Sequence, residues 1–288
     1  ENLNIPVIGS ILKRGGAIFM RRKFHGDALY SCLYKAYLEQ MSHRGHSLEY
    51  FIEGGRSRTG RLLPAKTGLL SMSVESFRAG SPRPVAMIPV WIGYDRLVES
   101  KSYQRELAGG EKKKESVTNF FSTLSILKEQ FGTTQLSFGE PVLLADYTDP
   151  QRRLEDDVNR ISHKVISEIN NSAGLTQSSI SATCLLAGNQ PQSVAELSDK
   201  GNRLVNLLHK LYPKIGLIPE SKPSDWIQEA ESMRQLKVKL NLVEIDEAQA
   251  QEFCFYRNNI QHYLVLPSLY LLLAHRLDKG RAQNINRT

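Results

Sequence analysis

Residues 51–61 read FIEGGRSRTGR, and Arg56, Ser57, Arg58, Thr59 and Arg61 in this stretch all carry side chains that bind oxyanions. Arginine offers a planar, permanently charged fork that meets two phosphate oxygens at once. The preceding Gly54 and Gly55 allow a sharp turn that brings backbone N–H groups close to a ligand, since glycine has no Cβ and accepts positive φ. From Arg56 to Lys66 there are four basic residues and no acidic one, so an anion would relieve their mutual repulsion. A Walker loop is excluded. Gly55 and Gly60 have the spacing of its first two glycines, but Arg61-Leu62 stand where a Lys and a hydroxyl are required.

A second conjunction of glycine, apolar run and paired arginines is GGAIFMRRK (15–23). A short strand there would deliver Arg21 or Arg22 to the same pocket, because alternation sends adjacent side chains to opposite faces. On spacing alone, a pair that merely flanks a strand is an equal reading. General-base chemistry finds less support. None of the 7 histidines has an Asp five positions on. His163 has Glu168 at that spacing, but residues five apart on a helix do not share a face well, so His163 reads as a surface residue. The 3 cysteines, Cys32, Cys184 and Cys254, have spacings that fit neither a disulfide framework nor a zinc site. They indicate a reducing compartment, and no metal or redox cofactor is implied.

These groups must be positioned by regular elements. Leu29, Leu33, Ala36, Tyr37 and Met41 have helical spacing over 28–42, with Arg44-Gly45 as a stop. SLEYFIEGG then reads as a buried strand, Thr67 to Ala79 as a helix closed by Gly80, and PVAMIPVWIGY (84–94) as a second buried strand. Strand, loop, helix and strand predict a βαβ core, with the basic loop directly after its first strand. GGEKKKES (109–116) reads as a solvated loop, a helix follows from Ser116 to near Gly132, and QLSFGEPV as a further strand. From Pro150 onward helical spacing dominates: Leu154, Val158, Ile161, Val165 and Ile169 first, then 176–187, 194–212, 224–236 and 248–277. The expected division is therefore an α/β core over 1–148 and a mostly helical region over 149–288.

The chain has 288 residues and a formal charge of +7, and residues 1–66 alone hold 11 basic and 5 acidic side chains. Such a field suits a phosphorylated small molecule, coenzyme A, an acidic carrier protein, an anionic membrane surface or nucleic acid. Helices near 194–236 followed by the alternating KVKLNLVEI (237–245) resemble a winged-helix module. Residues 151–288, however, hold 17 basic and 15 acidic side chains, without the electrostatic footprint of a nucleic-acid binder. The longest nearly apolar run, Tyr263 to Ala274, has 12 residues, short of the roughly 20 that span a bilayer, and leaves monotopic attachment open. The opening ENLNIPVIGS has no Met and no charged-then-apolar leader, which predicts a piece of a longer protein.

In order, GAIFMRR, FIEGGRSRTGR and IPVWIGY resemble the second, third and fourth sequence blocks of the membrane-bound bacterial glycerol-3-phosphate acyltransferases, and FYRNNIQHYLVLPSLYLL (255–272) is similar to their segment downstream of the core. The resemblance implies a partial acyltransferase-type βαβ core and acyl transfer from acyl-CoA or acyl carrier protein to the first hydroxyl of sn-glycerol 3-phosphate. By the same resemblance Arg22 contacts the acceptor phosphate with Arg21 beside it. Glu53 and Gly54 shape the active-site turn, and Arg56, Ser57 and Arg58 hold glycerol phosphate. Pro89 sets the second strand near the acyl-donor pocket. The turn Glu53-Gly54-Gly55 is a candidate source of N–H groups for the oxyanion. The family's first block, H-x-x-x-x-D, supplies a general-base His and an orienting Asp. That pair is expected upstream of Glu1, and a chain without it would be inactive or nearly so. Related acyltransferases acting on dihydroxyacetone phosphate or a lysophospholipid need the same phosphate grip, and a non-catalytic binder of anionic lipid or nucleic acid is the alternative of another class. The implied setting is the cytoplasmic face of the inner membrane, with peripheral or monotopic attachment and no cofactor beyond the acyl donor as co-substrate.

Overall fold

The computed structural model of the chain describes residues 8–21, 26–97, 131–188, 191–216 and 236–285, together with residues 227 and 231. The helix expected from Ser116, most of the one expected over 224–236, the loop at 109–116, and Arg22 and His25 lie outside the described residues.

A short helix α1 (Ile8–Arg14) is followed by α2 (Ala28–His43). Asp27 caps α2 by accepting the Tyr30 backbone N–H at 2.9 Å, and Gly45 at φ 78° turns the chain away after it. The helix forms where its spacing predicts, yet the fully buried side chain is Leu38, while Leu29 and Leu33 are 81% and 67% exposed.

The strand expected over 47–55 does not form. The chain turns at Phe51–Gly54, where the Gly54 N–H reaches the Phe51 carbonyl at 3.0 Å. The Ile52 carbonyl accepts from the Lys66 N–H at 2.7 Å. Backbone groups that a ladder would need are thus used locally to close a loop. α3 (Gly68–Arg78) follows as predicted and buries Leu70 and Val74.

The second expected strand is split into β1 (Ala86–Met87) and β2 (Val90–Tyr94). Pro89 lies in the break, where a residue without an N–H cannot continue a ladder. β2 pairs antiparallel with β3 (Thr134–Phe138), from Val90 opposite Phe138 to Tyr94 opposite Thr134, and β1 pairs antiparallel with β4 (Val142–Leu143). Among the described residues of the expected βαβ core, the strands form two antiparallel pairs, and the segment expected as its first strand is in neither.

The rest is mainly helical, as expected: α4 (Leu144–Tyr147), α5 (Leu154–Asn171), α6 (Gln177–Leu186), α7 (Val194–Leu211) and the long α8 (Glu247–Ile285). The Thr176 hydroxyl and the Ser179 side chain form a reciprocal capping box at the start of α6. KVKLNLVEI makes a hairpin of β6 (Lys237–Lys239) and β7 (Leu242–Glu244), and β7 also pairs with β5 (Gln192–Ser193). Its turn residues Leu240 and Asn241 have φ of 50° and 60°, the positive pair that matches strand twist.

Two apolar cores result. In one, Leu70 and Val74 of α3 meet Val142, Leu144 and the α5 residues Val158, Ile161 and Val165. In the other, Ile180 and Leu185 of α6 meet Phe253, Tyr256 and Ile260 of α8, with Trp91 of β2 against them. Ile169 of α5 borders both. Polar contacts stitch the sheet end to the helices: the Leu97 N–H donates to the Tyr256 hydroxyl at 3.0 Å, and the Ser178 hydroxyl donates to the Asp95 carbonyl. Beyond Leu264 the apolar side chains of α8 turn outward, and Val265, Leu266 and Leu269 to Leu273 are all exposed. No helix among the described residues is long and apolar enough to cross a membrane.

Two buried ionisable groups make the packing testable. Asp157, fully buried at the start of α5, accepts from Arg152 at 2.7 Å, Arg78 at 3.2 Å and the Asp149 N–H at 3.1 Å. Asp157→Asn removes the charge both arginines face and is expected to cost about 3 kcal/mol in denaturant unfolding. His262 on α8 is held down to a pKa of about 4 from 6.5, because burial penalises its charged form, against a smaller opposing effect of a hydrogen bond to the Asn170 backbone. Below pH 6.5 the unfolded chain takes up a proton that the folded chain refuses, so stability falls as pH drops and levels off near 4. Unfolding free energies of His262→Gln measured across that window should show a shallower acid loss than the unsubstituted protein.

Candidate functional site

The basic stretch forms a closed loop with a two-bond neck. The Ile52 carbonyl holds the Lys66 N–H, and inside it the Glu53 carboxylate accepts the Leu63 N–H at 2.7 Å. Glu53 is half-buried; desolvation raises its pKa and the Leu63 bond opposes the rise. Its side chain thus ties the two ends of the loop together. Gly54 turns at φ 61°, and a Cβ there would strike the Lys66 stem at 2.7 Å. Gly55 has open space around it.

Beyond the neck the residues expected to bind an anion lie in succession. Arg56 is exposed, and its carbonyl accepts from Arg58 Nη1 at 2.7 Å, so the Arg58 side chain folds back over the loop. Ser57 Oγ is buried without a hydrogen-bond partner. A buried polar atom of this kind costs about 1–3 kcal/mol unless something binds it. The other end of the loop rests on α8. Gly60, buried at φ 75°, places its Cα so close to the Phe255 backbone carbonyl that no side chain fits between them. Asn258 Nδ2 donates to the Thr59 carbonyl at 2.7 Å, and Arg257 Nη2 donates to Asn258 Oδ1 at 3.0 Å.

The structure therefore brings Glu53, Gly54, Gly55, Arg56, Ser57 and Arg58 together on one loop. Arg21 is engaged at the start of α2: Nη1 pairs with Asp27 at 3.2 Å, and the guanidinium lies 4.8 Å over the Tyr30 ring. Pro89 is buried, and its carbonyl accepts the Gly139 N–H at 2.8 Å. It thus fixes the split between β1 and β2 against the turn after β3. His163 is exposed, and Glu168 pairs at 2.6 Å with Lys164 rather than with His163. Among the described residues, no group of three or more His, Cys, Asp and Glu side chains could hold a metal ion.

Sequence reasoning missed Thr59, Gly60, Phe255, Arg257 and Asn258 as partners. A signal was present: Arg257-Asn258-Asn259 interrupts the helical run from Phe253 to Tyr263 with three polar side chains, two residues beyond the Phe255 carbonyl that Gly60 meets. As a chemical device, the loop offers cationic forks, a buried hydroxyl and small residues, with its far end held by a helix.

Two family descriptions match the chain. The glycerol-3-phosphate acyltransferase C-terminal region matches residues 103–288 and the acyltransferase family matches residues 1–93. The glycerol-3-phosphate acyltransferase of Pseudomonas fluorescens strain Pf0-1 is 37% identical over 292 residues, covering 93% of this chain and 35% of that one. Its counterpart in Ectopseudomonas mendocina strain ymp is 36% identical over 293 residues, again 93% and 35%. That in Pseudomonas aeruginosa strain UCBPP-PA14 is 37% identical over 289 residues with the same coverage. The chain spans about a third of the length of these curated relatives.

The seat between Gly60 and Phe255 is open to test by substitution. Gly60→Ala combines a strained positive φ with a Cβ driven into a main-chain carbonyl, so unfolding in denaturant should show a loss of about 2–4 kcal/mol. Gly55→Ala meets open space and should stay within about 0.5 kcal/mol of the parent. Equal losses in the two variants would contradict the seat.

Proposed function

From the premise that this chain belongs to the glycerol-3-phosphate acyltransferase family, we propose that it is part of an enzyme that transfers an acyl group from acyl-CoA or acyl carrier protein to sn-glycerol 3-phosphate. The product is a lysophosphatidate, at an early step of phospholipid synthesis. The observation that carries the reading is the closed loop 52–66, which gathers Arg56, Ser57 and Arg58 beyond a neck held by Glu53.

The chemistry is an acyl transfer. The first hydroxyl of the acceptor attacks the thioester carbonyl, the C–S bond breaks, and the hydroxyl proton is taken by a base while the thiol departs with a proton. We assign the base to a His of an H-x-x-x-x-D pair outside these 288 residues, since no histidine here has Asp at that spacing. What this chain contributes is grip and orientation. Arg56, Ser57 and Arg58 hold the phosphate, and fixing one end of the acceptor keeps its hydroxyl within reach of the carbonyl, which is the entropic advantage of a bound reactant. The Gly54 N–H is spent on the Phe51 carbonyl, so Gly55 is the turn residue assigned to offer its N–H to the oxyanion. Arg22 is assigned to the same phosphate, with Arg21 beside it, and Pro89 to the shaping of the donor side. No cofactor is needed beyond the donor thioester.

The setting proposed is the cytoplasmic face of an anionic inner membrane. The basic surplus in residues 1–66 and the exposed apolar turns Val265–Leu273 of α8 support peripheral or monotopic contact.

The test uses the full-length natural protein. Thiol release from palmitoyl-CoA should depend on sn-glycerol 3-phosphate and be much weaker with dihydroxyacetone phosphate or lysophosphatidate as acceptor. Arg56→Ala should raise the acceptor KM or lower kcat/KM for it by roughly 10- to 100-fold, the worth of a charged hydrogen bond of about 1.5–3 kcal/mol. Release that ignores the acceptor in a folded protein would overturn the assignment, and an unaltered acceptor KM in Arg56→Ala would remove that residue from the grip.

A further inference from the structure

Arg257 stands on α8, which the sequence places almost two hundred residues beyond the basic loop, yet hydrogen bonds through Asn258 link its guanidinium to the loop's far end. Nη2 donates to Asn258 Oδ1 at 3.0 Å, and the same amide donates through Nδ2 to the Thr59 carbonyl at 2.7 Å. One turn earlier the Phe255 carbonyl receives Gly60. The Asn258 amide is thus oriented at both ends: one fixes the loop, the other fixes the arginine.

Each of the two elements that meet through Asn258 and Thr59 carries a polar atom buried without a partner, Ser57 Oγ on the loop and Arg257 Nε on the helix. A guanidinium whose Nη2 is used for positioning while its Nε stays dry and unbonded is set to accept an anion. The donor inventory favours an oxyanion, because both Ser57 Oγ–H and Arg257 Nε–H can donate to it. Gly60 removes the one side chain that would hold the helix away.

We propose that Arg257 is a substrate-binding residue of the same anion site, and that the site has two halves: Arg56, Ser57 and Arg58 from the loop, and Arg257 from α8. The inference rests on the proposed acceptor reading and deepens it. The ligand is the phosphate monoester of the acceptor rather than a phosphate of the acyl donor. Closing of loop against helix around one phosphate then couples the two cores that these elements belong to.

The experiment uses Arg257→Gln and Arg257→Lys in the full-length natural protein. Glutamine keeps a donor for Asn258 Oδ1 but loses the charge and the fork; lysine keeps the charge alone. For Arg257→Gln the expected result is an acceptor KM raised roughly 10- to 100-fold with the palmitoyl-CoA KM within twofold, and partial recovery in Arg257→Lys. Inorganic phosphate should raise the melting temperature of the unsubstituted protein and not that of Arg257→Gln. An acceptor KM unchanged in a folded Arg257→Gln overturns the proposal, as does a rise confined to the palmitoyl-CoA KM, which would assign the arginine to the donor. Failure of the acceptor reading itself is separable, because it appears as acceptor-independent thiol release in the unsubstituted protein. Phosphate stabilisation that is the same in both proteins overturns the arginine's part even then.

Discussion

The absence of a side chain at Gly60 is the constraint on which the candidate site depends. A helix backbone can approach a loop backbone this closely only where neither offers a Cβ to the contact, and φ of 75° lets glycine turn there without strain. Once Gly60 is seated on the Phe255 carbonyl, Thr59 falls within reach of Asn258. The loop then has two fixed ends, the neck at Ile52 and Lys66 and the seat on α8, and the residues between them have little freedom left. Preorganisation of this kind removes an entropic cost that a free loop would meet on binding its ligand.

Charge makes the same arrangement one-sided. Arg56, Arg58 and Arg61 share a short loop, and the carboxylate nearest in sequence, Glu53, is turned into the neck to hold the Leu63 N–H. Glu53 therefore serves the loop's shape.

Helices were legible in the sequence wherever a cap met a periodic run. Gly45 after α2 and Gly80 after α3 mark ends that the structure reproduces. The strand reading of 47–55 failed for a physical reason. Alternation describes a segment able to pair, and pairing needs a neighbour that local pattern cannot name. Ile52 and Glu53 spend their acceptors inside the loop instead. Pro89 was legible as a strand position but not as the break in it. At the candidate site the loop residues could be read from type and spacing. Their seat could not, because helical periodicity in α8 says which face is apolar and nothing about which loop rests near its polar interruption. Arg21 shows the converse. Its type suits an anion, yet Asp27 and Tyr30 engage it at the start of α2.

The Asn258–Thr59 hydrogen bond joins residues 199 apart in the chain. A ribosome adding about 5–20 residues per second needs roughly 10–40 s to cover that distance. For that interval the nascent chain carries its basic loop without the helix that seats it. Long-range contacts of this separation also close late, because the entropy of loop closure must be met before any contact offsets it. The loop is thus among the earlier parts of this chain to be synthesised and among the last to reach its final form, so during biosynthesis its arginines meet the anions of the cell before they meet α8.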